Sequence, residues 1–98
     1  MKLISNKALR DFAALHPDAD SALRAFRTKV EKGSFANFAD LRAAFNGVDK
    51  VGEQFVFNIG GNKYRLVGWV HFEKQRLYVK AVLTHNEYDK GTWKNERI

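Results

Sequence analysis

The chain has 98 residues, 45% of them hydrophobic and 29% charged, a composition that predicts one globular domain over residues 1–98 and excludes a disordered chain. It contains no cysteine, which excludes disulfides, thiolate metal sites and a cysteine nucleophile. There are 17 lysines and arginines against 11 aspartates and glutamates, and the resulting net charge of +6 favours a polyanionic partner such as nucleic acid.

The first half of the chain has the hydrophobic spacing of helices. A brief strand is predicted over residues 2–5, and the helix that follows must end at Pro17, because the residue before a proline is disfavoured in the α conformation. A second helix, capped by Asp18 or Asp20, and a shorter third helix over residues 37–45 complete this half.

From residue 51 onward the hydrophobic period changes from 3.6 to 2, which predicts β-strands. The expected strands cover residues 55–59, 63–72 and 76–84, with two-residue turns at Gly60-Gly61 and Lys74-Gln75. The polar tail from His85 is expected to begin with a short helical turn.

Two-residue turns would set the register of the three strands, with Phe57 opposite Tyr64 and Leu66 opposite Leu83. One face of the sheet would then be apolar, and the helices would cover it. Its predicted members are Phe55, Phe57, Tyr64, Leu66, Val70, Phe72, Leu77, Val79, Ala81 and Leu83.

The opposite face would mix cations with aromatic side chains and stay open. Its predicted members are Asn58, Lys63, Arg65, Val67, Trp69, His71, Arg76, Tyr78, Lys80, Val82 and Thr84, with Trp69 opposite Lys80 and Arg65 opposite Thr84. Such a mixture suits RNA, whose phosphates attract cations and whose bases stack on rings. We predict RNA-binding roles for Lys63, Trp69, Arg76 and Tyr78. An ordinary solvated sheet face has a similar composition.

Two motifs in the second half carry a resemblance to a known family. The first is F-N-x-G-G-N-x-x-R, from Phe57 to Arg65, and the second is T-H-x-E-Y-D, from Thr84 to Asp89. Together they resemble the HigB-type toxins of bacterial toxin–antitoxin pairs. The resemblance implies an α+β, RelE-like fold, in which a short N-terminal strand and two to three helices pack on one face of a mostly antiparallel β-sheet, with a short C-terminal helical turn.

The resemblance also implies an activity and its partners. HigB-type toxins are endoribonucleases that cut messenger RNA, typically on the translating ribosome, without a metal or other cofactor. A HigA-like antitoxin with a helix-turn-helix domain neutralises the toxin, and the pair binds operator DNA through the antitoxin. The residues also predict a cytoplasmic protein with no membrane contact, because the first residues lack the apolar core of a signal peptide and no apolar stretch is long enough to span a membrane.

The family's chemistry gives roles to four residues. Metal-free RNA cleavage needs a base for the ribose 2′-OH, positive charge at the phosphate and an acid for the 5′ oxygen. Arg65 is expected to anchor the phosphate and His85 to transfer a proton, since an imidazole has an unperturbed pKa of about 6.5. Tyr88 and Lys80 are expected to support them. An exchange of roles between His85 and Tyr88 stays open.

Three alternatives remain from the residues alone. The chain could be a non-catalytic RNA- or ribosome-binding module that uses the same basic face. It could also inhibit or scaffold an acidic protein. Individually, Arg65 could pair with a helix carboxylate and Tyr88 could close the edge of the core. A zinc site is not expected, because His16, His71 and His85 lack metal-ligand spacing.

Overall fold

A five-stranded sheet with the order β1-β5-β4-β3-β2 organises the chain. The computed structural model describes residues 1–61 and 63–94. Its strands are β1 (Lys2–Ile4), β2 (Asp49–Val51), β3 (Gln54–Ile59), β4 (Tyr64–His71) and β5 (Arg76–Thr84). β1 runs parallel to β5 and the other pairs are antiparallel, so the predicted α+β class with a mostly antiparallel sheet is confirmed.

The helices are α1 (Asn6–Leu15), α2 (Asp20–Lys32), α3 (Phe38–Ala44) and α4 (His85–Lys90), with 3-10 turns at Pro17–Ala19 and Thr92–Lys94. The break at Pro17 is confirmed. The predicted cap by Asp18 or Asp20 is wrong, because the 3-10 turn runs directly into α2 and Ala19 holds the cap position without a side-chain bond. Within the described residues, no helix is long and apolar enough to cross a bilayer.

Helices α1, α2 and α3 pack on one face of the sheet and bury the main core. Phenylalanine rings in edge-to-face contact fill the centre of this core. The centroid of the Phe57 ring lies 5.1 Å from that of Phe26 and 5.4 Å from that of Phe45. Leu66 and Leu77 are fully buried beneath them. This core therefore buries the helix-facing side chains of β4 and β5 and leaves the opposite face of both strands for other contacts.

The pairing of β3 with β4 is displaced by two residues from the prediction. Ile59 pairs with Tyr64, and Phe57 pairs with Leu66 instead of the predicted Tyr64. A shift of two leaves every side chain on its predicted face, because the side chains of a strand alternate with a period of two. Asn62, which belongs to the first motif, lies outside the described residues.

The pairing of β4 with β5 contains a β-bulge that the sequence did not reveal. Val67 pairs with Ala81, but the next residue, Gly68, pairs with Val79, so Lys80 is the extra residue of the bulge. The predicted pairing of Lys80 with Trp69 is therefore wrong. The turn between the strands spans positions 72–75, two residues more than predicted.

The bulge reverses the alternation of side chains for the rest of β5. Between the turn and the bulge, Trp69 pairs with Tyr78 because the turn is longer than predicted. Beyond the bulge, Arg65 pairs with Leu83 instead of Thr84. Leu83 consequently packs on the face opposite the helices, while Val82 packs against the main core. The predicted assignment of Ala81 and Leu83 to the apolar face, and of Val82 and Thr84 to the open face, is wrong for this reason.

Candidate active site

The C-terminal segment covers the centre of the sheet face opposite the helices, which we call the second face. Trp93 is 6% exposed there and forms a small cluster with Val56 and Val67, against which Leu83 and Tyr88 pack. The expectation that this face is left open is thus wrong at its centre. Its two ends remain accessible, and the predicted functional residues divide between them.

Arg65 and Tyr88 meet at the end of the second face next to α4. Arg65 projects from β4 between Asn58 of β3 and Leu83 of β5, and its guanidinium Cζ lies 5.3 Å from the centroid of the Tyr88 ring. Its Nη1 also donates a hydrogen bond to the Tyr64 carbonyl at 3.2 Å. A cation held over a ring in this way is attracted by the electron-rich face of the ring.

Trp93 holds the Tyr88 ring as well. The two rings are stacked, with centroids 5.0 Å apart and planes 13° from parallel. The Trp93 Nε1–H donates to the Tyr88 carbonyl at 2.7 Å. Because Gly91 ends α4 in the left-handed conformation, with φ of 75°, the chain reverses and can return Trp93 onto Tyr88.

His85 is the first residue of α4, the short helix that follows β5. Thr84 and Glu87 form a capping box, in which the Thr84 N–H donates to Oε1 of Glu87 at 2.9 Å and the Glu87 N–H donates to Oγ1 of Thr84. This cap starts α4 at His85, two residues after Leu83, the strand partner of Arg65. His85 and Tyr88 are therefore three residues apart on the same short helix, about one turn from each other.

The imidazole of His85 has a carboxylate partner that the sequence reasoning missed. Nδ1 of His85 lies 3.1 Å from Oδ2 of Asp89, one helical turn later, and both side chains are more than half exposed. When Nδ1–H donates to this carboxylate, Nε2 carries the lone pair and can accept a proton. The spacing of four residues within T-H-x-E-Y-D was the available signal.

Lys80, the bulge residue, is tied to the C-terminal segment. Its ammonium donates to the Trp93 carbonyl at 2.6 Å and to Oε1 of Gln54 at 2.8 Å, and it lies 5.5 Å from the Trp69 ring. Gln54 is fully buried, and its Nε2 donates to the Lys94 carbonyl at 3.1 Å. Lys80 thus fastens the segment that carries Trp93.

The other predicted RNA-binding residues lie away from the Arg65 end, except Lys63. Trp69 and Tyr78 pair across β4 and β5, and Nη1 of Arg76 lies 3.5 Å from the Tyr78 hydroxyl. At about 3.3 Å per residue, Trp69 is roughly 13 Å along β4 from Arg65. The second face therefore presents an aromatic end with Arg76 and a corner where Arg65 meets Tyr88 of α4.

Lys63 lies in the turn before β4, where it interacts with the helical side of the protein. Its Nζ is 3.6 Å from Oδ2 of Asp18, which also accepts a 2.7 Å hydrogen bond from the Tyr64 hydroxyl. That bond is the main reason why the pKa of Asp18 is lower than usual, and Lys63 contributes. The same bond raises the pKa of Tyr64.

A cleft of about 590 Å³ lies on the second face between the aromatic end and the Arg65 corner. Its lining includes Trp69, residues from the middle of β5 and the C-terminal segment. Glu87 and Lys90 of α4 line one side of it. Within residues 1–61 and 63–94, histidine, aspartate and glutamate side chains form no group of three that could ligate a metal ion.

Comparison with known proteins gives consistent matches. A family model described as HigB_toxin, the RelE-like toxic component of a toxin–antitoxin system, matches residues 19–91. The mRNA interferase toxin HigB of Escherichia coli (strain K12) is 40% identical over 92 residues, which cover 91% of this chain and 88% of that protein. The mRNA interferase HigB of Shigella flexneri matches equally, and that of Escherichia coli O6:H1 is 28% identical over 95 residues, covering 94% and 92%.

Proposed function

This chain belongs to the HigB family of RelE-like toxins of toxin–antitoxin systems, and we propose that it cuts messenger RNA at the corner formed by Arg65, Tyr88 and His85. It is the toxin of such a pair and an mRNA endoribonuclease. The observation that carries the choice of site is the contact between Arg65 and Tyr88 beside the first turn of α4. The contact joins the family's two motifs in one place.

Arg65 anchors the scissile phosphate. A guanidinium can give two parallel hydrogen bonds to phosphate oxygens, and its charge offsets the charge that develops on them in the transition state. The Tyr88 ring restricts where the guanidinium can lie, at 5.3 Å from its centroid. The Tyr88 hydroxyl adds a hydrogen bond to the same phosphate.

His85 is the base of the reaction, and Asp89 orients it. Nε2 of His85 takes the proton of the ribose 2′-OH, the 2′ oxygen attacks phosphorus, and the bond from phosphorus to the 5′ oxygen breaks. The products are a 2′,3′-cyclic phosphate and a 5′-hydroxyl, whose proton comes from water at this exposed corner. Asp89 stabilises the imidazolium that forms, through its 3.1 Å contact with Nδ1.

Lys80 supports the site through the segment that it fastens. Its hydrogen bonds to the Trp93 carbonyl and to Gln54 hold Trp93 in place, and Trp93 stacks on Tyr88. Lys80 therefore positions Tyr88 indirectly, through Trp93. Its positive charge also attracts the RNA backbone.

The RNA strand follows the hairpin of β4 and β5 away from the cut. Trp69 and Tyr78 offer rings on which bases stack, and Arg76 offers a cation beside them. Lys63 offers a second cation in the turn before β4, where its Nζ also lies 3.6 Å from Asp18. Each of these four side chains is exposed or half-exposed, so each is expected to contribute modestly to the affinity for RNA.

The exposure of the proposed site suggests that the ribosome takes part in the reaction. The corner lies on a surface where His85 and Asp89 are 55% and 61% exposed, so the protein encloses its substrate little. A translating ribosome would supply the missing alignment of the messenger, and the toxin would then act in the cytoplasm. The antitoxin would be a HigA-like helix-turn-helix protein, through which the pair binds operator DNA.

Induced expression with mapping of messenger RNA ends tests this proposal. The native chain should arrest growth and produce defined cuts, and His85→Ala should lose both while still binding ribosomes. His71→Ala is the matched control, because it removes an exposed histidine at the far end of β4. Identical cut maps from the native chain and His85→Ala would refute the catalytic assignment. Ribosome binding without cuts by the native chain would identify a non-catalytic binder.

A further inference from the structure

The positive charge at the aromatic end of the second face continues beyond the hairpin of β4 and β5 onto β1, the strand at the edge of the sheet. We propose that Lys2 of β1 and Arg76 of β5 together bind one phosphate of an RNA strand. The inference rests on the proposed function, because it takes RNA as the ligand of the second face, and it adds the first strand of the chain to that surface.

The register of β1 places Lys2 beside Arg76. The two strands run parallel, with Lys2 opposite Arg76. The next pair, Leu3 and Leu77, is buried in the main core under the helices. Because side chains alternate along a strand, Lys2 and Arg76 both lie on the second face. Neighbouring strands are about 4.8 Å apart, so two long side chains at opposed positions can reach the same phosphate.

Hydrogen bonds fix the backbone of Lys2 at the end of the sheet. Its N–H donates to the Gln75 carbonyl at 2.8 Å. The side chain of Gln75 is itself held by Phe35, since its Nε2 donates to the Phe35 carbonyl at 2.6 Å and its Oε1 accepts the Phe35 N–H at 3.0 Å. The side chain of Lys2 remains exposed. The ammonium is therefore accessible to a ligand, while the strand that carries it has a defined position.

The two cations lie side by side without a neutralising carboxylate. Among residues 1–61 and 63–94, no acidic side chain forms an ion pair with Lys2 or Arg76. His71, the partner of Arg76 on β4, accepts the Lys74 N–H on Nδ1 at 3.2 Å and is neutral in that state. Like charges at opposed positions of a sheet repel each other. A phosphate between Lys2 and Arg76 would offset this repulsion and accept hydrogen bonds from both.

The adjacent row of side chains on the same face offers a place for the base. Ile4 pairs with Tyr78, and Tyr78 pairs with Trp69, so an apolar row crosses the same three strands beside the cations. Cations along the backbone combined with rings for the bases are typical of single-stranded RNA sites. A phosphate held by Lys2 and Arg76 would thus belong to a nucleotide whose base can stack on Tyr78.

Binding of a short single-stranded 2′-O-methyl RNA tests the proposal, because this RNA has no 2′-OH and cannot be cut. Lys2→Gln should weaken binding about two- to fivefold at low salt, the range for one exposed charge contact. Lys7→Gln is the matched control, since it removes an exposed lysine of α1 that pairs with Asp11, and it should bind normally. Lys2→Gln should melt at or above the native temperature, because it relieves the repulsion.

Arg76→Gln tests whether the two cations share one phosphate. If they do, Lys2→Gln should have a smaller effect in the Arg76→Gln background than alone, since a phosphate that has lost one partner is held less well. The double variant should reduce the slope of log K against log salt by about 0.7, the value for one phosphate of a single strand. Fully additive effects would overturn the shared site.

Vacant ribosomes distinguish messenger from ribosomal RNA, because they carry no messenger. Weaker binding of Lys2→Gln to the oligonucleotide identifies a messenger phosphate, and weaker binding to vacant ribosomes alone identifies a phosphate of ribosomal RNA. Native affinity of Lys2→Gln for both would overturn the phosphate site while cutting at the Arg65 corner stands. Failure of the native chain to cut any messenger would overturn the proposed function instead.

Discussion

The guanidinium of Arg65 lies over the ring of Tyr88, and the distance from Cζ to the ring centroid is 5.3 Å. Trp93 stacks on the same ring with centroids 5.0 Å apart. The ring of Tyr88 therefore links a strand, a helix and the C-terminal segment without any part played by its hydroxyl. Ring and hydroxyl can be removed separately, and their effects on cutting should differ.

Tyr88→Phe should lower the single-turnover cutting rate less than tenfold, because the ring still holds Arg65 and Trp93. Tyr88→Ala should lower it about a hundredfold or more, since the phosphate anchor and the segment both lose their contact, and correct positioning is worth that much. The measurement is cutting on programmed ribosomes. If Tyr88→Phe is as inactive as His85→Ala, the hydroxyl transfers a proton and the roles must be exchanged.

Asp89→Asn tests whether a carboxylate orients His85. The amide keeps the size of the side chain and can still accept from Nδ1, but it no longer stabilises the imidazolium. We expect the cutting rate to fall about tenfold or more, with an unchanged melting temperature because both side chains are exposed. Asp11→Asn, which alters an exposed helical ion pair with Lys7, is the control and should cut normally.

The sequence predicted those features that short stretches determine. Pro17 ends α1, the period of two marks the strands, and the motif from Thr84 to Asp89 forms a capped helix. The β-bulge at Lys80 was not predicted in this way: Gly68 inside β4 was a local signal, but a glycine does not show which strand carries the extra residue or how the register changes. The return of Trp93 onto the sheet depends on contacts between residues far apart in the chain.

Lys80→Met should destabilise the protein more than a surface lysine does. The substitution leaves Oε1 of the fully buried Gln54 and the Trp93 carbonyl without their donor. An unsatisfied buried polar group costs about 1–3 kcal/mol, and we expect a loss of that size in urea unfolding. Lys74→Met in the exposed turn is the control. Equal stability of the two variants would mean that Lys80 does not fasten the segment.

The Tyr64–Asp18 hydrogen bond predicts a pH dependence of stability. The folded-state pKa of Asp18 is lowered, so its contribution is present above the unfolded pKa of about 3.9 and is lost as pH falls through the folded value. The pKa of Tyr64 is raised, so its contribution is lost only as pH rises through that higher value.

Tyr64→Phe should therefore melt below the native chain at neutral pH, and the difference should shrink in acid, as Asp18 becomes protonated. The phenylalanine keeps the ring that meets Phe12 edge-on at 5.1 Å, so the comparison isolates the hydroxyl. Melting temperatures between pH 2.5 and 7 provide the measurement. A difference that is constant across this range would show that the ionised Asp18 carboxylate is not the partner that matters.

Gly68→Ala should prevent the bulge from forming normally. A Cβ at this position would collide with the carbonyl oxygen of Tyr78, a backbone atom of the neighbouring strand. β4 and β5 would have to separate at the point where Gly68 pairs with Val79. Overpacking of this kind costs about 1–3 kcal/mol, which urea unfolding would measure.

The position of Lys80 links this change in stability to activity. Because Lys80 is the extra residue next to the Gly68–Val79 pair, separated strands would move its ammonium away from Gln54 and Trp93. Gly68→Ala should therefore also slow cutting under conditions where the protein remains folded. Gly61→Ala is the control: its Cβ would meet no atom within 4 Å, and only its φ of 68° carries a cost of about 1 kcal/mol. Normal cutting by folded Gly68→Ala would show that the bulge does not position the C-terminal segment.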